Sequence, residues 1–127
     1  MMEIVEKLKI VEVLNRKWVL PLLQIFWDDP TPLRFSELEN KMKENVKGRI
    51  SAKVLSERLS ELCEWGVIQK EKDFFNPKHY HYSLTPYGET LEDLINFIRV
   101  FESELLQAKE LVEESKDSMS RLVDVSA

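Results

Sequence analysis

The run ISAKVLSERLSEL, residues 50–62, places Lys53, Ser56, Glu57 and Ser60 close together in sequence. On a helix, positions three and four apart share a face. Lys53, Glu57 and Ser60 then stand on one side with Ser56 at their flank, and Ala52, Leu55, Leu59 and Leu62 form the other. The polar side sets an ammonium, two hydroxyls and a carboxylate side by side. That inventory suits hydrogen bonding to flat polar edges and to anions. Ser51 stands at the N-cap position, where its oxygen serves the helix and its N–H can hold an anion. Lys47 and Arg49 precede it, and Lys70, Lys72, Lys78 and His79 follow, all candidates for phosphate oxygens. Arg58 lies at the edge of the leucine stripe, within reach of an outer anion or an internal carboxylate.

Other chemistries find less support. His79 and His81 are two apart on an alternating segment, so they point the same way. Cys63 and Asp73 would have to complete a metal site, and nothing in the sequence fixes their distance, so no metal is expected. Cys63 falls beside Leu59 and Leu62, which favours a buried thiol over a reactive one. Trp18, Trp27, Trp65, Phe26 and Phe35 read as core rather than as a ligand pocket. No glycine loop for phosphate, no nucleophile elbow and no paired acid and base are present, so neither catalysis nor a cofactor is expected.

These residues need elements to hold them. Residues 2–14 read as a helix with Ile4, Leu8 and Val11 on one stripe. KWVLPLLQIFW, residues 17–27, is apolar nearly all round and should be the most buried helix, starting near Val19 to accommodate Pro21 in its first turn. Ser36 opens a short helix to about Lys43. The polar helix after Ser51 stops at Gly66. Val67 to Phe74 and His79 to Leu84 form two strands about an NPK turn, with Tyr80, Tyr82 and Leu84 facing the core and the histidines facing out. Thr85-Pro86 begins a long helix as N-cap and first residue. Along it, Leu91, Leu94, Ile98, Phe101, Leu105, Ala108 and Val112 alternate spacings of three and four. That is the seam of a coiled coil, and a second copy of the chain is the simplest partner for it.

The chain has 127 residues, one domain's worth, with 43% apolar side chains, and one cysteine, which excludes a disulfide framework. No apolar run reaches a membrane span, and the N-terminus is not patterned as a signal peptide, so a cytoplasmic location is expected. The net charge of −5 is unevenly distributed. Residues 41–58 hold six basic and two acidic side chains, whereas residues 86–127 hold four basic and ten acidic. A basic middle is where an anionic partner docks.

The expected fold is mostly α with a small β-hairpin: a winged helix-turn-helix core over 16–85, flanked by an N-terminal dimerisation helix over 1–15 and a long C-terminal one over 86–122, as one domain. In such a fold the second helix of the pair, here about 51–64, enters the major groove, and the wing, here 67–84, lies on the backbone or in the minor groove. The expected partners are double-stranded DNA and a second copy of the chain; a small-molecule effector stays open, and no membrane is involved. The expected dimer contacts are Ile4, Leu8, Val11, Leu94, Ile98, Phe101, Leu105, Ala108 and Val112. The segments RKWVLPLLQIF, LRFSELENKM, ISAKVLSERLSELCEWGVI and HYHYSLTPYGE, in this order from Arg16 to Gly88, resemble the HxlR-type (DUF24) winged-helix regulators. The resemblance implies a homodimeric, DNA-binding transcription regulator whose terminal helices make the dimer. Two departures stand out. Members that sense oxidants carry a cysteine ahead of the KW motif, and here the only thiol is Cys63. The loop from Met42 to Ile50 is also longer and more basic than the family pattern. Two other readings remain: a winged-helix module for protein contacts without DNA, and a MarR- or PadR-like regulator with a ligand pocket. Salt-dependent duplex binding separates the first of these from a DNA binder.

Overall fold

The structure, a computed structural model, describes the backbone of residues 8–126 and the side chains of residues 8–120. Helix α1 spans Lys9–Leu14 and buries Val13, while Leu8 and Val11 stay exposed. Ile4 lies outside the described residues. Trp18 adopts a left-handed φ of 80° and admits the chain to α2, Val19–Asp28. Pro21 occupies the third position of α2, where a missing N–H forfeits no helical bond. Val19, Leu22, Leu23, Ile25 and Phe26 are buried, as an all-round apolar sequence requires.

The third helix, α3, spans Phe35–Asn45 and buries Leu38 and Met42. It starts earlier than expected: Arg34 is its N-cap, and Ser36 is already inside the helix. The Arg34 N–H donates to Glu37 Oε1 at 3.3 Å, so the carboxylate three positions on closes the helix end in place of a serine hydroxyl. Helix α4, Ala52–Glu64, begins where expected.

The sheet corrects the expectation of a lone hairpin. Three strands are present, β1 (Leu33–Arg34), β2 (Ile68–Lys72) and β3 (Tyr80–Leu84), in the antiparallel order β1-β3-β2. Leu33 pairs with Tyr82 and Arg34 with His81. Lys70 also lies opposite Tyr82, and Lys72 opposite Tyr80. A two-residue strand carries no periodic signal, which is why β1 is invisible in the sequence. Tyr82 is buried, but Tyr80 is exposed rather than facing the core, because the strand has run out past the domain's edge by that point. His81 also departs from expectation: it turns to the buried Asp73, with Nε2 3.4 Å from Oδ2.

Thr85 caps α5, Pro86–Ser126. Its hydroxyl oxygen accepts the Gly88 N–H at 3.2 Å, and the hydroxyl donates to the Gly66 and Val67 carbonyls. Trp27 Nε1 donates to the Gly88 carbonyl at 3.0 Å, so this first turn is fastened to α2. The chain divides into a unit ending at Leu91 and a second beginning at Glu92. In the second unit Leu94, Ile98, Phe101, Leu105 and Val112 are each more than half exposed, and Ala108 is exposed beside them. Among the described residues no helix is long and apolar enough to cross a membrane.

Candidate nucleic-acid interface

Helix α4 is built from its two faces. Leu55, Leu59 and Leu62 are fully buried, which stabilises the helix on the core by about 1.5–3 kcal/mol per side chain. The opposite positions, Lys53, Ser56, Glu57 and Ser60, are all exposed. Ala52 is exposed as well; it sits in the first turn, before the leucine stripe reaches the core. Ser51 has extended backbone, and its Oγ accepts the Val54 N–H at 3.1 Å. The remaining first-turn N–H groups of α4 therefore point outward from the helix end, beside Lys53.

The basic loop leading into α4 rests on an aromatic ring. Gly48 has φ +106°, and a Cβ built there would stand 3.1 Å from Cη2 of Trp18. The Lys17 ammonium lies 4.9 Å from the centroid of the same ring. Lys47 and Arg49 are exposed, and no ion pair engages either of them or Lys53 among the described residues. Arg49 shares an open cleft with Lys43 and Ile50.

Arg58 does not join the outward set. Its Nη1 donates to Glu61 Oε1 at 2.8 Å and its Nε to the Lys17 carbonyl at 3.2 Å. Arg16 reaches the same Glu61 oxygen at 2.9 Å. Arg58 thus ties α4 to the chain ahead of α2, as an edge position beside an internal carboxylate allows. Lys41, part of the basic middle, pairs with Asp29 at 3.4 Å.

The hairpin of β2 and β3 follows α4 through Gly66, whose φ of +71° lies in the left-handed region that favours glycine. Lys70, Lys72, Lys78 and His79 are exposed on it. Lys70 stands over Tyr80 and Tyr82, 4.4 and 5.8 Å from the ring centroids. It lines two clefts. One, of about 550 Å³, also takes in Ser56, Ser60 and Cys63; the other, of about 430 Å³, takes in Arg34, Ser36, Lys78 and His79. Ser36 and Tyr80 also belong to this surface, and no pattern in the sequence marks them for it. Ser36 was visible only as a helix start, and its approach to Lys78 and His79 depends on β1 pairing with β3.

Cys63 is half-buried, and burial pushes its thiol up, outweighing the opposing pull of the Lys70 charge. A thiol so placed is a poor nucleophile. Asp73 is buried to within 6% exposure at the wing's end. The Phe75 N–H first, then Arg34, hold its carboxyl below the usual range against the opposing effect of burial. Among the described residues no group of three His, Cys, Asp or Glu is placed to hold a metal ion.

Residues 13–110 match the HxlR-like helix-turn-helix family. The chain is 35% identical over 96 residues to a protein of Bacillus subtilis (strain 168) described as the uncharacterized HTH-type transcriptional regulator YvaP, covering 76% of this chain and 82% of that one. The reduced form of the transcriptional regulator YodB from B. subtilis superposes with a TM-score of 0.63 at 22% identity, over 79% of this chain and 91% of that one. A possible HxlR family transcriptional factor from Thermoplasma volcanium GSS1 superposes at 0.57 with 19% identity, over 79% and 87% of the two chains. The two structural likenesses speak for the fold. With the leucine-backed α4, the hairpin behind it and a family match across most of its length, this chain belongs to the HxlR-like helix-turn-helix family.

Proposed function

We propose that two copies of this chain bind one duplex, each laying α4 in a major groove and the hairpin on the neighbouring backbone or in the minor groove. The family and its named relatives are transcriptional regulators, and the chain is a DNA-binding transcription regulator of the helix-turn-helix type. The observation that carries the finer reading is the outer face of α4: Lys53, Ser56, Glu57 and Ser60 exposed together above three fully buried leucines. Lys53 in the first turn reaches a guanine edge or a phosphate, and Ser56 and Ser60 suit base edges or bridging water. Glu57 can accept from a cytosine amine. Ser51, Lys47 and Arg49 at the helix entrance, with Lys70, Lys72, Lys78 and His79 on the wing, supply phosphate contacts. The exposed seam of α5, from Leu94 through Ile98, Phe101, Leu105 and Ala108 to Val112, supports pairing with a second copy, and the exposed Leu8 and Val11 of the N-terminal segment are assigned the same role. Two α4 helices then meet half-sites about 34 Å apart, one duplex turn.

The test is selection of bound sequences from random duplexes, followed by anisotropy titrations at several salt concentrations. A palindromic motif and a steep negative slope of log K on log salt are expected. Lys53→Ala should weaken binding, and if Lys53 holds a phosphate the slope loses about one unit. Absence of duplex binding at low salt, by wild type and variant alike, would favour a module for protein contacts.

A further inference from the structure

Phe74 and Phe75, at the tip of the wing, are each 91% exposed, more than any other large apolar side chain among the described residues. Two adjacent phenylalanines left in water need a reason. The tip is not loose. Asp73 Oδ1 accepts the Phe75 N–H at 2.9 Å, and the Asp73 N–H donates to the His79 carbonyl at 2.8 Å. The His79 N–H donates to the Asn76 carbonyl at 2.9 Å, and Asn76 Oδ1 accepts the Lys78 N–H at 3.3 Å. Asp73 is itself gripped by Arg34 at 2.6 Å. The rings are therefore presented by a braced turn and do not fold back onto the core.

We propose that Phe74 and Phe75 form an aromatic wedge that enters the minor groove of bound duplex DNA and parts a base step beside the site covered by α4. The inference rests on the DNA-binding reading above. Three observations favour a duplex as occupant. The pair is flanked by Lys72 and Lys78, with Lys70 further along the same strand, so phosphates can line up on either side of the rings. Those cations oppose stacking of one wing tip on another copy's. The strands are five residues long, so the tip stands about 17 Å beyond the strand root that joins α4, enough to pass from a major groove over the backbone into the next groove. The rings meet edge to face, 5.2 Å apart and inclined at 86°. When one lies parallel to the base planes, the other stands along the groove wall against sugar. A minor groove about 6 Å wide admits such side chains, and apolar wedges there unstack and kink a step.

The test uses the full chain and a duplex recovered by selection from a random pool. 2-Aminopurine is placed in turn at each step of that duplex, and end-to-end energy transfer reports its bend. With wild type, brightening is expected at one step outside each α4 half-site, together with a bend. Phe74→Ala/Phe75→Ala should lose both signals and about tenfold in affinity, with the salt slope unchanged. Both side chains are exposed, so circular dichroism should show the variant folded. Equal brightening and bending by the two proteins would overturn the wedge while leaving DNA binding intact. No duplex binding by either protein would overturn the underlying reading as well. If the variant alters self-association or binding to phosphatidylserine vesicles but not the duplex signals, the wedge is likewise overturned and the pair belongs to that contact.

Discussion

Replacing Asp73 by Asn would discharge the group on which the wing tip, β1 and β3 converge through the Phe75 N–H, the Arg34 guanidinium and His81. The carboxyl's folded pKa lies below its ordinary 3.8, so its stabilising effect is complete above that value and fades as pH falls through the folded one. Urea denaturation from neutral pH down to about pH 2.5 should show wild type ahead of Asp73→Asn at neutral pH, with the gap closing in acid. A gap that stayed constant into acid would show that Asp73 acts through its shape and not its charge. The pairing of Asp73 with Arg34 was not legible in the sequence, because it joins residues 39 apart through a strand of two residues. The outer face of α4 was legible, since the helical period fixes both faces once the leucines are assigned. Arg58 shows the limit of that logic. An edge position can turn either way, and Glu61, one turn on with Arg16 beside it, turns Arg58 inward.

At the scale of elements, the joints were easier to read than the sheet. Ser51, Thr85-Pro86 and Gly66 announce helix ends by local chemistry, and each acts there as expected. Removing one local bond tests this directly. Ser51→Ala should lower stability by about 1 kcal/mol in denaturant melts and fray the end of α4 that carries Lys53. The two glycines that flank the hairpin should respond for different reasons. Gly66→Ala forces a side chain into φ +71° with open space around it, which costs about 1–2 kcal/mol. Gly88 is helical, and its difficulty is contact: a Cβ there would lie 2.2 Å from the Val67 carbonyl oxygen and 2.7 Å from Cδ2 of Leu84. The backbone oxygen cannot swing aside, so the first turn of α5 must shift and strain the Trp27 bond to the Gly88 carbonyl. Gly88→Ala should therefore cost more than Gly66→Ala, about 3 kcal/mol, and should perturb Trp27 fluorescence where Gly66→Ala does not. Equal losses for both would mean that the turn at 85–88 yields easily.

For the whole molecule, the proposed dimer and the proposed DNA complex should answer to salt in opposite directions. Residues 86–127 carry ten acidic and four basic side chains, so two seams brought together repel each other at low ionic strength. The seam itself is apolar, with Ile98 and Phe101 each about half exposed in the single chain, and burying it depends little on salt. Screening therefore strengthens the dimer, whereas the same salt weakens phosphate contacts made by Lys47, Arg49, Lys53 and the wing lysines. Sedimentation velocity should show a dimer that tightens between low and physiological salt. Phe101→Glu places a carboxylate in the middle of the seam, in the unit that begins at Glu92. It should give monomers with unchanged folding of the unit that ends at Leu91, and duplexes with two half-sites should lose their advantage over single half-sites. That last comparison separates two kinds of failure. A monomeric variant that still prefers paired half-sites would mean the subunits meet on DNA through some other surface. A variant that remains dimeric would remove α5 from the interface and leave the terminal segment with Leu8 and Val11 as the place to look.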